Sequence, residues 1–263
     1  MNTVLLGWDD TMDNIVKRIE ETIFDTPIED LTIDYLELGL DAVTSSEIVE
    51  SIPVVKTIVA LFKTGISIRE SFFIKKLLVF SSQIFNGEIS ESEIKKRQEA
   101  IRNQEPWIKK EIEQIVVYLD RFDAAYKAKM LANLYIAFVN RLIAPDKYIN
   151  MLAIIDKWQK YDEALLETLY TEHKKGSGHN KDYVILIDAA SKQRLEALGV
   201  LRVKREVLCL LDYYDEDELE DEQLYCLEEK HSLTYEGIIM SEIIFTGKVA
   251  SEFDDKYFNL SSI

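Results

Sequence analysis

Apolar residues recur along most of this chain at the three-to-four-residue spacing of amphipathic helices. In residues 9–24, Ile15, Ile19 and Ile23 fall on every fourth position with Val16 beside them, and Thr26-Pro27 stops the pattern. Leu31 to Val49 is acidic and moderately apolar, and Leu36, Leu38 and Leu40 mark a helix of poor period. The strongest apolar stretch runs from Ile52 to Phe85. Pro53 suits a first helical turn, and Val54, Val55, Ile58, Val59, Leu61 and Phe62 form a broad stripe. Thr64-Gly65 breaks it. A second helix starts at Ile66 or Ser67, carries Phe72, Phe73, Leu77, Val79 and Phe80, and ends near Asn86-Gly87.

Ser90-Glu91-Ser92-Glu93 reads as a capped helix start with acids in the first turn, and that helix runs to about Asn103. Pro106 restarts the chain into a helix from Trp107 to about Arg121, with Ile108, Ile112, Ile115, Val116 and Leu119 inward. The next helix spans about Asp123 to Leu142, and Ala144-Pro145-Asp146 marks a break. Tyr148 to His173 reads as one long helix or two short ones. Lys174 to Asn180 is the clearest linker. Beyond it the pattern changes to a β-like run, Val207 to Tyr214, an acidic segment at 215–222, a second strand around Cys226, and a final helix from Tyr235 to about Phe245.

These elements predict a mainly α protein. An N-terminal helical bundle occupies 1–173, with a basic amphipathic hairpin at 52–85. A small α+β, winged-helix-like module covers 181–246, and 247–263 is a poorly ordered tail. Composition agrees: among 263 residues, 9 Gly and 4 Pro leave few turns and favour long helices. The two cysteines, Cys209 and Cys226, make no secreted disulfide framework. They sit on the two expected strands, where they can face each other, and read as reduced core thiols. The N-terminus lacks the basic start and long apolar run of a secretory signal, and no uncharged apolar run is long enough to cross a bilayer. The expected location is the cytoplasm, with peripheral attachment at the inner face of the inner membrane as the alternative.

Charge sharpens one region. The chain carries a net −17, yet Ile52–Phe85 has Lys56, Lys63, Arg69, Lys75 and Lys76 against Glu70 alone, a local balance of +4. Two readings follow. The segment is a buried hairpin whose lysine stems snorkel to water, or it is a surface that meets anionic lipid or a partner. On the second reading Lys56, Lys63, Arg69, Phe72, Phe73, Lys75 and Lys76 make the contact. The overall acidity opposes nucleic-acid binding, and acids at 215–222 would repel phosphate from the tip of the hairpin. His173 and His179 lack further ligands at metal-site spacing. No phosphate-binding, hydrolase or kinase signature occurs. The sequence therefore predicts no catalytic residue, no metal and no cofactor. It predicts a protein partner or self-association, an anionic membrane surface as the alternative, and no nucleic acid.

Three stretches resemble known bacterial proteins. SIPVVKTIVALFKTGISIRESFFIKKLLVF is similar to a segment found in small proteins of mobile elements, through Pro53, Lys63, Gly65, Arg69, Lys75 and Lys76. VYLDRFDAAYKAKMLANLYIAFVNRLIAPDKYINMLAIID resembles the helical unit that follows such segments. RLEALGVLRV and KHSLTYEGIIMSEIIF resemble the winged-helix-like end of abortive-infection alpha-type proteins, through Leu198, Gly199, Leu233, Thr234 and Gly237. Gly199 then ends one helix and Thr234 caps the next. The resemblance spans about Ile52 to Phe245 and implies a prophage or phage-defence setting without enzymatic residues. The acidic stretch at 215–222 departs from the pattern. The function so implied is a non-enzymatic phage-defence protein acting through a membrane- or partner-contacting helical segment. The alternative is a protein–protein adaptor or regulator of a prophage or defence system.

Overall fold

The computed structural model describes residues 16–19, 24, 35–43, 55–56, 59–60, 68–175, 189–209 and 225–250. Lys63, the linker at 176–180 and the acidic segment at 215–222 lie outside the described residues, as do the end of the β-like run at 210–214 and most of the tail. Among the described residues the chain is mainly helical, with a two-stranded antiparallel sheet towards its C-terminal end. It divides into two compact units, one formed by Met1–Asp156 with Gly247–Ile263 and the other by Lys157–Thr246.

The first unit holds α1 (Ile68–Asn86), α2 (Glu91–Arg102), α3 (Pro106–Arg121), α4 (Tyr126–Val139) and most of α5 (Pro145–Lys157). Its centre is the packing of α1 on α4. α1 contributes Ile74, Leu77, Leu78 and Phe80, and α4 contributes Ala128, Leu131, Ala132, Leu134 and Tyr135, all fully buried. The Phe80 and Tyr135 rings meet at 6.1 Å. Burying one such aliphatic or aromatic side chain stabilises by about 1.5–3 kcal/mol, which makes the apolar face of α1 a structural element first. Pro106 opens α3 at its first turn, where a missing N–H costs nothing. Ser90 precedes α2 with the extended backbone of a cap, but its hydroxyl accepts no helix N–H. Its own N–H instead donates to Asn140 Oδ1 at 2.9 Å, tying the start of α2 to the end of α4.

The second unit starts with a 3₁₀ turn, Lys160–Asp162, and continues through α6 (Glu163–Lys175), α7 (Ala189–Ala197), β1 (Leu201–Cys209), β2 (Tyr225–Leu233) and α8 (Tyr235–Ser241), with a π-helical turn at Glu242–Thr246. The stretch read as one helix or two, Tyr148 to His173, is two. The division between units falls after Asp156, not near His173, because α6 packs on β2 and α8 and buries Leu166, Leu169 and Tyr170 there. β1 begins at Leu201, six residues before the β-like run, since the mixed sequence LRVKRE is held in the ladder by β2. The register sets Cys209 opposite Tyr225 and Cys226 opposite Leu208, so the cysteines are not cross-strand partners. At the start of the expected tail, Val249 is buried and Lys248 pairs with Glu88 at 2.9 Å.

Candidate functional site

The basic helix was the expected contact surface, and α1 commits much of its charge to the fold. Lys76 is 2% exposed. Its Nζ donates to the carbonyls of Asp120 at 3.0 Å and Phe122 at 2.8 Å, the unsatisfied end of α3. A cation there also meets the negative end of the helix dipole. The same ammonium lies 4.9 Å from the centre of the half-buried Phe72 ring. Burial lowers the Lys76 pKa to about 8, against the opposing pull of Asp120. Lys75 donates to the Leu38 carbonyl at 2.6 Å. Arg69 is exposed and pairs with Asp120 at 2.8 Å. Phe73 is half-buried, and Lys56 is exposed. Lys76 is therefore an internal cap and not a surface contact, because its stem carries the ammonium onto a helix end. A second buried lysine follows the same logic: Lys127 donates to Asp156 O at 2.9 Å near the end of α5 and pairs with Asp123.

A cleft that sequence reasoning missed opens in the first unit, among α2, α3 and the turn between α4 and α5, with a volume of about 490 Å³. Its floor is a charged network. Arg97 on α2 is 5% exposed and bridges two carboxylates, Glu93 at 2.9 Å and Glu111 of α3 at 3.0 Å. The Tyr135 hydroxyl donates to Glu111 as well. Burial opposes ionisation of Glu93, but Arg97 and Arg141 outweigh it and hold the carboxyl below the ordinary range. Burial, then the Glu111 charge, pushes the Tyr135 phenol far up, so it stays a donor. Tyr148 is pushed up by the same two causes and stacks on Phe138 at 4.3 Å.

The mouth of the cleft is cationic and aromatic. Arg141 reaches Glu93 at 2.6 Å from a side chain that is 69% exposed. Its backbone is left-handed, with φ of 62°. The turn that ends α4 requires this: the Arg141 N–H bonds Phe138 O and the Leu142 N–H bonds Ala137 O, both at 2.9 Å. Lys96 lies 5.6 Å and Arg97 5.7 Å from the centre of the Trp107 ring. Phe138, Ile143 and Pro145 complete an apolar wall. The i,i+4 spacing of Glu93 and Arg97 was visible in the sequence as a helix pair. Nothing there joined it to Glu111 or Arg141, which arrive from other helices.

In the second unit the resembling motifs form one joint. Gly199 ends α7 with φ of 70°. Thr234 Oγ1 accepts from the Gly237 N–H at 3.0 Å, capping α8, and donates to the Gly199 and Val200 carbonyls. A Cβ on Gly237 would lie 2.2 Å from Val200 O. These residues hold the helix against the ribbon. In the same unit Asp162, fully buried, takes Arg194 at 2.6 Å.

Among the described residues, no cluster of His, Cys, Asp or Glu is arranged to hold a metal ion, and no helix is long and apolar enough to cross a membrane. No family model, curated protein or solved structure matches the chain.

Proposed function

We propose that this chain is a non-enzymatic bacterial phage-defence protein of the abortive-infection kind, and that it works by contacting a protein partner, as an adaptor within a defence or prophage system. The observation that carries this choice is the use of Lys76 as an internal helix cap. With Lys75 bonded to Leu38 O and Arg69 paired to Asp120, the cations of α1 support packing instead of a lipid-facing stripe. A net charge of −17 adds long-range repulsion from anionic lipid. The phage-defence setting rests on the resemblance of the segments around Arg69–Lys76, Gly199 and Thr234–Gly237.

The test is expression in a bacterial host followed by challenge with a phage panel. Expression alone leaves growth unchanged, plaque numbers fall for at least one phage, and the chain purifies with a stoichiometric protein from infected cells. Growth arrest without phage, relieved by Lys75→Glu, would contradict the adaptor reading and favour action at a membrane. Unchanged plaque numbers across the panel, with no co-purifying protein, would remove the defence assignment.

A further inference from the structure

We propose that the cleft of the first unit binds a small anion that carries a flat ring, with a single phosphate or carboxylate held by Lys96 and Arg141 and the ring set against the wall around Trp107 and Phe138. The volume of about 490 Å³ lies within the range of small-ligand sites. The charge arrangement sets the sign of the ligand. Both carboxylates are occupied, Glu93 by Arg97 and Arg141, and Glu111 by Arg97 and Tyr135. What remains unspent is donor capacity at the mouth. Arg141 gives one nitrogen to Glu93 from a side chain that is 69% exposed. Lys96 is exposed and lies over the Trp107 ring, and its charge adds to the positive field that holds Glu93 ionised.

The backbone supplies an independent observation. Position 141 takes a left-handed φ of 62°, where glycine or asparagine is preferred. An arginine there costs the fold some stability relative to glycine, and the turn places its guanidinium at the mouth of the cleft. The floor explains why the mouth is preorganised: Glu93 is fixed from below by buried Arg97, and it in turn orients Arg141.

Calorimetric titration of the full chain tests this, with AMP and indole-3-acetate as ring-bearing anions and with adenosine and inorganic phosphate as the separate halves. At least one ring-bearing anion binds with a saturable heat, and each half binds about tenfold more weakly or worse. Lys96→Glu and Arg141→Gly each weaken binding by about tenfold or more. The melting temperature of Arg141→Gly equals or exceeds that of the parent, since glycine fits the turn. The proposal is overturned if neither ring-bearing anion binds a chain that melts normally, if phosphate alone binds as well as AMP, or if both variants bind like the parent. An acidic aromatic peptide that binds where both anions fail also overturns it and makes the cleft a protein-docking groove.

Discussion

At the residue scale, the fate of Lys76 separates a charge that serves folding from one that serves a surface. Its pKa of about 8 in the folded chain lies below the ordinary 10.5. Between those values the unfolded chain keeps a proton that the folded chain has released, so stability rises with pH across that window. Urea midpoints should therefore climb from about pH 8 towards 10.5 in the parent, and less so in Lys76→Met, which titrates nothing at that site. An equal climb in both chains would show that Lys76 is not the source. Arg97 belongs to a different class, because it neutralises two carboxylates that are each only 11% exposed. Arg97→Met removes the buried cation from both, leaving Glu93 to Arg141 and Glu111 to the Tyr135 hydroxyl, and should cost about 3 kcal/mol of unfolding free energy. A loss below about 1 kcal/mol would mean that water already reaches and solvates the pair.

At the element scale, helix positions were legible because the apolar period is strong from α1 to α5. Pro106 marked its helix start by a simple backbone rule, whereas Pro145, read as a break before a helix at Tyr148, is itself the first residue of α5. The Ser90 signal placed a helix start correctly, yet the capping hydrogen bond is not made; the Ser90 hydroxyl lies 3.4 Å from Ser92 Oγ and its N–H donates to Asn140. β1 was placed too late because its first residues, LRVKRE, lack an apolar run, and pairing with β2 overrides propensity. The cleft was not legible at all. Its parts come from α2, α3 and the α4–α5 turn, and only tertiary packing brings Glu93, Glu111 and Arg141 together. The joint in the second unit gives a direct test of what the resembling motif does. Thr234→Ala removes a cap that also binds two carbonyls, and should destabilise by about 1–2 kcal/mol, whereas Thr234→Ser should be close to neutral. Gly237→Ala drives a methyl onto the Val200 carbonyl and should cost about 1–3 kcal/mol. Chemical denaturation reads all three. A neutral Gly237→Ala would show that α8 can shift away from the ribbon.

At the scale of the whole molecule, the chain combines strong acidity with a few cations placed where helices end or meet. Lys76 and Lys127 close helix ends, while Arg97 and Arg194 pair with the buried acids Glu93 and Asp162. The balance of +4 in Ile52–Phe85 suggested an interaction surface. Sequence counts charges but does not show which ammonium is carried inward by its stem, and that distinction decides between lipid and partner. Co-sedimentation of the full chain with anionic and neutral liposomes, at low and high salt, tests this account most directly. It predicts no excess of chain in the anionic pellet at either salt concentration, with Lys56→Glu and Arg69→Glu behaving like the parent. Salt-sensitive binding to anionic liposomes that these two substitutions abolish in a still-folded chain would contradict it and return the basic segment to the membrane.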